Sequence, residues 1–349
     1  MKMNENSKTI ISVALVVVVA AVAILATVLV FPHVATGGNV TENSSSLTDK
    51  TQSVDAVESE DTADNTSSEA TAASSSENPT DNKTVDLVIF MGQSNMAGYG
   101  GSASRAPVVP EGHGYWFKSV SDPTKLYRLT EPFGAGETNM DSGLGNCQRN
   151  GSMVSAFANA YYKDTGVPIV AVFAAQGNTA IDWWWPGKAP LNDAINRYKT
   201  AKEWLENNGY TVRNDFMVWC QGESDGWNGS AKRMYKTLFI KMFDAMKAEG
   251  IDACFMVRIG EQQSSSTQFD QIIEAQNELC KEVDNVVMVC TATAGFVKAG
   301  LMSDNVHYSQ EGYNKAGTMA GENAAYYVNT GKKPTMEDPK YGNIYDPYN

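Results

Sequence analysis

Three short stretches of this chain carry residue types suited to nucleophilic chemistry, and each follows an apolar run or lies late in the chain. The first is Gly92-Gln93-Ser94-Asn95-Met96-Ala97-Gly98, directly after Val85–Met91. A serine where a strand turns into a helix can hold its hydroxyl exposed and turn its own N–H toward an anion. The same serine would serve equally as an ordinary helix N-cap. The stretch is neither G-x-S-x-G nor G-x-G-x-x-G, which disfavours an α/β-hydrolase elbow and a dinucleotide loop. The second stretch, Trp219-Cys220-Gln221-Gly222-Glu223-Ser224-Asp225, sets an amide and two carboxylates after Phe216–Cys220. Turn chemistry around Gly222 is its bland reading. The third is Asp304-Asn305-Val306-His307-Tyr308-Ser309. An aspartate three residues ahead of a histidine can reach the imidazole Nδ1, which fixes the tautomer and leaves Nε2 facing a nucleophile.

Counting sharpens the third motif. The chain has 3 histidines. His33 adjoins a long N-terminal apolar run. His113 lies in Glu111-Gly112-His113-Gly114, with no paired acid at useful spacing. If Ser94 needs a histidine base, His307 is the one with a suitably placed acid.

Taken in order, these motifs resemble the SGNH-hydrolase branch of sialate O-acetylesterases and acetylxylan esterases, over about Val85 to Val328. The resemblance implies that Ser94 is the nucleophile, His307 the base and Asp304 its acid partner, with Glu223 as the alternative acid. It implies an oxyanion hole made of the Ser94 N–H, the Gly151 N–H and the Gln221 side chain. It also implies a flavodoxin-like fold and the removal of acetyl groups from sugars such as sialic acid or xylan. An acetyl-enzyme forms and water clears it, and the chemistry calls for no metal or other cofactor. Two alternatives remain open: a carbohydrate-binding surface protein with a vestigial site, and a lipase-like or thioester-cleaving SGNH enzyme.

Substrate contacts are sought at the other strand ends. Ala174-Ala175-Gln176-Gly177-Asn178-Thr179-Ala180-Ile181-Asp182-Trp183-Trp184-Trp185 follows Ile169–Ala174. Tryptophans there can stack on sugar rings, or one or two of them can simply anchor the loop. Gln93, Asn178, Trp183 and Trp184 are the candidate contacts, with Trp227 behind them. Arg258 can meet a substrate carboxylate such as that of sialic acid, or pair with Glu261 or Asp225.

Those motifs need elements to position them. Val85–Met91, Ile169–Ala174, Phe216–Cys220, Ala253–Val257 and Val286–Cys290 are continuous apolar runs, as expected of parallel strands covered on both faces. Helical patterns lie between and after them, at Ser152–Lys163, Leu191–Asn207, Ala231–Ala248, Gln268–Val283 and about Glu311–Val328. Their alternation predicts an α/β fold, a doubly wound parallel five-stranded sheet with helices on both faces. Ligands of such sheets bind beyond the carboxyl ends of the strands. The polar segment 331–349 is expected to wrap the surface or fray.

The 349-residue chain divides unevenly. Residues 10–31 are apolar except for Ser12 and Thr27, about 33 Å of helix, the thickness of a bilayer core. Lys2 and Lys8 precede the run and no Lys or Arg follows until Lys50, which places residues 1–9 in the cytoplasm and the rest outside. The run reads as an uncleaved anchor, a cleaved signal peptide being the alternative with a shorter apolar region, roughly 7–15 residues. Segment 32–83 is a Ser/Thr-rich linker that is expected to be disordered. From Thr41 to Lys83 it holds ten acids against two lysines, eight of the chain's net thirteen negative charges. The expected domain spans 84–330. No basic patch suggests nucleic acid. The expected partners are an acetylated glycan and, through the N-terminal helix, the cell membrane. Of the 5 cysteines, Cys220, Cys254 and Cys290 sit in apolar runs as small buried hydrophobes, while Cys147 and Cys280 are free to join a disulfide.

Overall fold

The structure is a computed structural model and describes residues 83–349. The expected anchor over 10–31 and the linker up to residue 82 lie outside the described residues. Among the described residues, no helix is long and apolar enough to cross a membrane.

The five expected strands form and lie side by side. They are β1 (Thr84–Gly92), β4 (Ile169–Ala175), β5 (Thr211–Cys220), β6 (Ala253–Val257) and β7 (Val286–Cys290). β1 pairs in parallel with β4 on one side and β5 on the other, and β6 and β7 extend the sheet beyond β5. The sheet is larger than expected, however. β2 (Gly114–Lys118) joins the far edge of β4 in parallel, and β3 (Asp122–Arg128) folds back antiparallel on β2. The five-stranded parallel sheet is therefore corrected to a mixed seven-stranded one, ordered β3-β2-β4-β1-β5-β6-β7. Asp122–Arg128 is polar, half-exposed and carries Pro123 near its start, features that only an edge strand tolerates.

Side chains alternate between the two faces of the sheet, and both faces are covered. Val85, Leu87, Ile89 and Met91 of β1 pack with α3 (Ala189–Asn207), α5 (Lys232–Ala248) and α6 (Asp270–Glu282). Val88 and Phe90 pack with α2 (Val154–Thr165) and α8 (Gln310–Thr330). α2 and α8 approach so closely that a Cβ on Gly317 would sit 2.2 Å from the Met153 carbonyl oxygen. Two short helices complete the strand ends: α1 (Ser94–Ala97) after β1 and α4 (Glu223–Asn228) after β5. A third, α7 (Phe296–Ala299), follows β7.

Segment 331–349 does not fray. β8 (Met336–Asp338) and β9 (Asn343–Tyr345) form a small antiparallel hairpin. Met336, Asp338 and Tyr345 are buried. All five cysteines are free thiols, and Cys280 is buried with the three expected ones.

In the three central strands, Gly92 aligns with Ala175 and with Cys220. The segments that leave β1, β4 and β5 thus start at one rim, beside the place where the chain order switches.

Candidate active site

Gly92 ends β1 with φ +142°, and a Cβ there would lie 2.0 Å from the Cys220 carbonyl oxygen. Only glycine lets β1 and β5 stay this close at the rim. The chain then turns, and Ser94 opens α1 with its side chain nearly buried. The Ser94 Oγ is 2.8 Å from His307 Nε2, although 213 residues separate them. His307 Nδ1 is 2.7 Å from Asp304 Oδ2. Asp304 Oδ1 accepts from the backbone N–H groups of Val306 and His307 at 2.9 and 2.8 Å. A carboxylate beside Nδ1 keeps the proton there, which leaves the Nε2 lone pair for the serine O–H. Burial works to raise the Asp304 carboxyl. The two backbone N–H groups and the ring outweigh it and hold the carboxyl below its usual range.

The imidazole is also held from its face. The Tyr99 ring lies 4.3 Å from it, centroid to centroid, tilted by 30°. Beneath, the buried Asn95 amide ties three segments together. Its Nδ2 donates to Glu223 Oε1 at 2.6 Å and to the Val306 carbonyl at 3.2 Å. Its Oδ1 accepts from the Tyr308 N–H and the Tyr313 hydroxyl. Asn95 therefore braces the chain on both sides of His307.

Glu223, the alternative acid, is buried and bonds Asn95; Asp304 is the carboxylate on the imidazole. Burial pushes the Glu223 carboxyl up, and the Asn95 bond works against it.

A cavity of about 340 Å³ opens over Ser94 and His307. Gln93, Tyr99, Gly177 and Asn178 line it near the serine. Ser224 and Trp227 line it after β5, and Asn146, Cys147 and Gln148 close it from the loop before α2. Asn178 lies in the left-handed region at φ +59°, which asparagine tolerates better than most residues. Among the described residues, no group of three His, Cys, Asp or Glu side chains is arranged to hold a metal ion.

Several expected site residues lie elsewhere. Gly151 is packed under the loop after α1, where a Cβ would meet the Ala103 N–H and the Gln310 side chain. The glycine beside the serine is Gly177, whose Cβ position is 3.7 Å from the Ser94 Cβ. Gln221 is wholly buried, and its Nε2 donates to the Thr179 carbonyl at 2.8 Å and to Asp225 Oδ2 at 2.6 Å. Trp184 is core: it packs edge-on against Trp219 and donates to Thr179 Oγ1. Trp183 is exposed but does not line the cavity; Trp227 does, with its Nε1 held by Gln262. Arg258 is enclosed, and pairs with Asp338 and Asn277 rather than with Glu261, Asp225 or anything in the cavity.

Sequence reasoning also missed Tyr99, Asn95 as a brace, and Gly177. Only Gly177 carried a local signal, since it follows a strand whose end is at the rim. The other two act through contacts with residues more than 100 positions away.

A serine hydroxyl, an imidazole and a carboxylate in one hydrogen-bonded line at the carboxyl ends of an α/β sheet form the arrangement of a serine-type hydrolase site. Comparison with known proteins narrows the class. Residues 84–326 match the family "Carbohydrate esterase, sialic acid-specific acetylesterase", so the chain belongs to that family and is a carboxylic ester hydrolase. No curated protein matches the chain. Among solved structures, one similar in fold is a protein from Arabidopsis thaliana, with 21% identity and a TM-score of 0.53, covering 70% of this chain and 99% of that one. A carbohydrate acetylesterase from Xanthomonas citri has 14% identity and a TM-score of 0.45, covering 71% of this chain and 57% of that one. A catalytic mutant of an acetylxylan esterase from Geobacillus stearothermophilus has 12% identity and a TM-score of 0.37, covering 71% and 95%.

Proposed function

We propose that this esterase removes acetyl groups from O-acetylated glycans through a Ser94–His307–Asp304 triad and an acetyl-enzyme. His307 Nε2 takes the Ser94 proton as Oγ attacks the acetyl carbonyl, and the proton then passes to the departing sugar hydroxyl. Water, activated by the same nitrogen, releases acetate. The Ser94 and Gly177 backbone N–H groups are the donors assigned to the tetrahedral oxyanion. The observation that supports this reading is the 2.8 Å contact between Ser94 Oγ and His307 Nε2, with Asp304 behind the ring.

Sialic acid and plant polysaccharides such as xylan are both candidate carriers of the acetyl group. The cavity favours a neutral sugar, because no Lys or Arg is among the described residues that line it. The nearby Arg149 guanidinium is turned toward the Gly145 carbonyl and the Phe173 ring. A sialate carboxylate would find no cationic partner there.

The test is acetate release from acetylated xylan, from O-acetyl sialoglycans and from 4-nitrophenyl acetate by the purified protein and its Ser94→Ala variant. The reading expects release by the parent and none by the variant. Turnover that survives Ser94→Ala would end it. We further propose that residues 10–31 carry the enzyme out of the cytoplasm and hold it at the membrane, on the strength of their length and flanking lysines. Recovery of the protein in the soluble cytoplasmic fraction would overturn that.

A further inference from the structure

A sugar leaving group is amphipathic. Its hydroxyls point outward round the ring, and its C–H groups leave apolar faces. A site for it needs hydrogen-bonding groups beside an aromatic ring. The cavity over Ser94 has both. Asn146, Gln148 and Asn178 line it with amides, and Tyr99 and Trp227 line it with rings. The Tyr99 ring is already engaged with the His307 imidazole. Trp227, on α4, is the other ring, and it is 46% exposed.

Trp227 is held from behind. Its Nε1 donates to Gln262 Oε1 at 3.2 Å, and its ring meets Phe269 edge to face, 5.9 Å between centroids at 73°. With the N–H taken, the indole offers a ligand its ring face. Gln262 is buried, in the turn between β6 and α6, where it bridges to Ser265. The same turn grips the segment that carries the acid and the base. The Gln263 N–H donates to the Asn305 carbonyl at 2.8 Å, and Gln263 Nε2 donates to the Asp304 carbonyl at 2.5 Å. The Ser264 N–H donates to Asn305 Oδ1 at 2.8 Å. A backbone N–H can only donate, so this bond fixes the Asn305 amide and leaves Nδ2 toward Gln262. Asn305 Nδ2 donates to Gln262 Oε1 at 3.0 Å. Both partners of that oxygen are donors, which fixes the Gln262 amide in turn. One oxygen atom thus joins an exposed ring of the cavity to a residue between Asp304 and His307.

We propose that Gln262 is a positioning residue with two tasks: it sets the Trp227 ring as the platform for a neutral sugar, and it holds the Asp304–His307 segment that acts on the ester. This rests on the esterase reading above and names the sugar side of the same site. Gln262 touches neither the ester nor the sugar; it acts through Trp227 and Asn305. The sugar that carries the acetyl group lies with a C–H face on the indole, and its hydroxyls reach the amides opposite.

The test compares acetylated xylan with ethyl acetate, which has neither a sugar nor an aromatic ring to occupy the platform. Trp227→Ala is expected to raise KM on acetylated xylan about tenfold, as loss of a central aromatic contact does. Gln262→Met keeps the length of the side chain and removes the acceptor. It is expected to lower kcat about tenfold or more on both substrates, because the base is displaced. It should also raise KM on acetylated xylan. In the double variant that KM should be no higher than in Trp227→Ala alone, because Gln262 acts on the sugar through the ring. Should Gln262→Met not fold, Trp227→Phe and Asn305→Leu cut the two ends separately. The first must then raise KM on acetylated xylan, and the second must lower kcat on both substrates. The proposal is overturned by an unmoved KM in Trp227→Ala, by a kcat loss in Gln262→Met confined to acetylated xylan, or by KM effects that multiply in the double variant. Ser94→Ala, assayed alongside, separates the two claims: if it still hydrolyses ethyl acetate, the esterase reading itself has failed, whatever Gln262 does.

Discussion

His307 is gripped at both nitrogens and on one face, and each grip has a separable consequence. Asp304 decides the tautomer, so Asp304→Asn should lower kcat by roughly 10²–10⁴-fold with little change in KM. Glu223→Gln keeps an acceptor for Asn95 and should cost less than about tenfold. Steady-state kinetics of the two variants tests the choice between the carboxylates; the reverse ranking would make Glu223 the acid partner. Glu223 also makes a stability prediction. Its folded pKa is raised by burial, so its protonated form favours the fold. Stability is full below the ordinary carboxylate range and falls as pH rises through the raised value. Denaturant midpoints should therefore decline with pH across that window in the parent, and Glu223→Gln should flatten the decline. At this scale the sequence was informative about types and spacing. It marked Ser94, His307 and Asp304, because a four-residue motif holds its own geometry. It could not show that the Gln221 donors were already spent on Asp225 and Thr179, because that depends on how two strand ends meet.

Elements hold these residues through close backbone approaches as well as through side chains such as Asn95. The loop after α1 presses against the His307 segment at Gly100, where a Cβ would fall 2.5 Å from the Tyr308 carbonyl oxygen and 2.9 Å from the His307 Cβ. Gly100→Ala should push the imidazole off line, and a shift near 1 Å costs about 10²-fold in rate. The denaturant midpoint should report only a modest overpacking penalty of about 1–3 kcal/mol. Equal kcat in the variant would mean the loop yields instead. The central strands were legible because parallel strands buried on both faces must be apolar throughout. β2 and β3 were not, since an edge hairpin needs neither property. The β8–β9 hairpin was hidden for another reason: what fixes it is Arg258, 80 residues earlier. Both charges are buried, so removing one strands the other. Asp338→Ala should destabilise the domain by roughly 3–5 kcal/mol in urea unfolding. The pair Arg258→Met with Asp338→Leu should recover most of that loss.

The whole molecule is acidic, with a formal net charge of −13 at pH 7. Eight of those charges fall between Thr41 and Lys83, and the other five are spread over the rest of the chain. Among the described residues that line the cavity, there is no lysine or arginine to offset them. A substrate carrying its own carboxylates therefore approaches against a repulsive field, while a neutral acetylated polymer meets none. The two cases separate by salt. The screening length falls from about 30 Å at 0.01 M to about 3 Å at 1 M. Raising salt across that range should increase kcat/KM several-fold on O-acetyl sialoglycans and leave acetylated xylan within about twofold. Both effects belong to encounter and binding, so kcat on either substrate should barely move. If instead the sialoglycan is processed faster at low salt than at high, attraction outweighs repulsion. A cation outside the cavity lining must then reach the carboxylate, and the preference for neutral sugars fails with it.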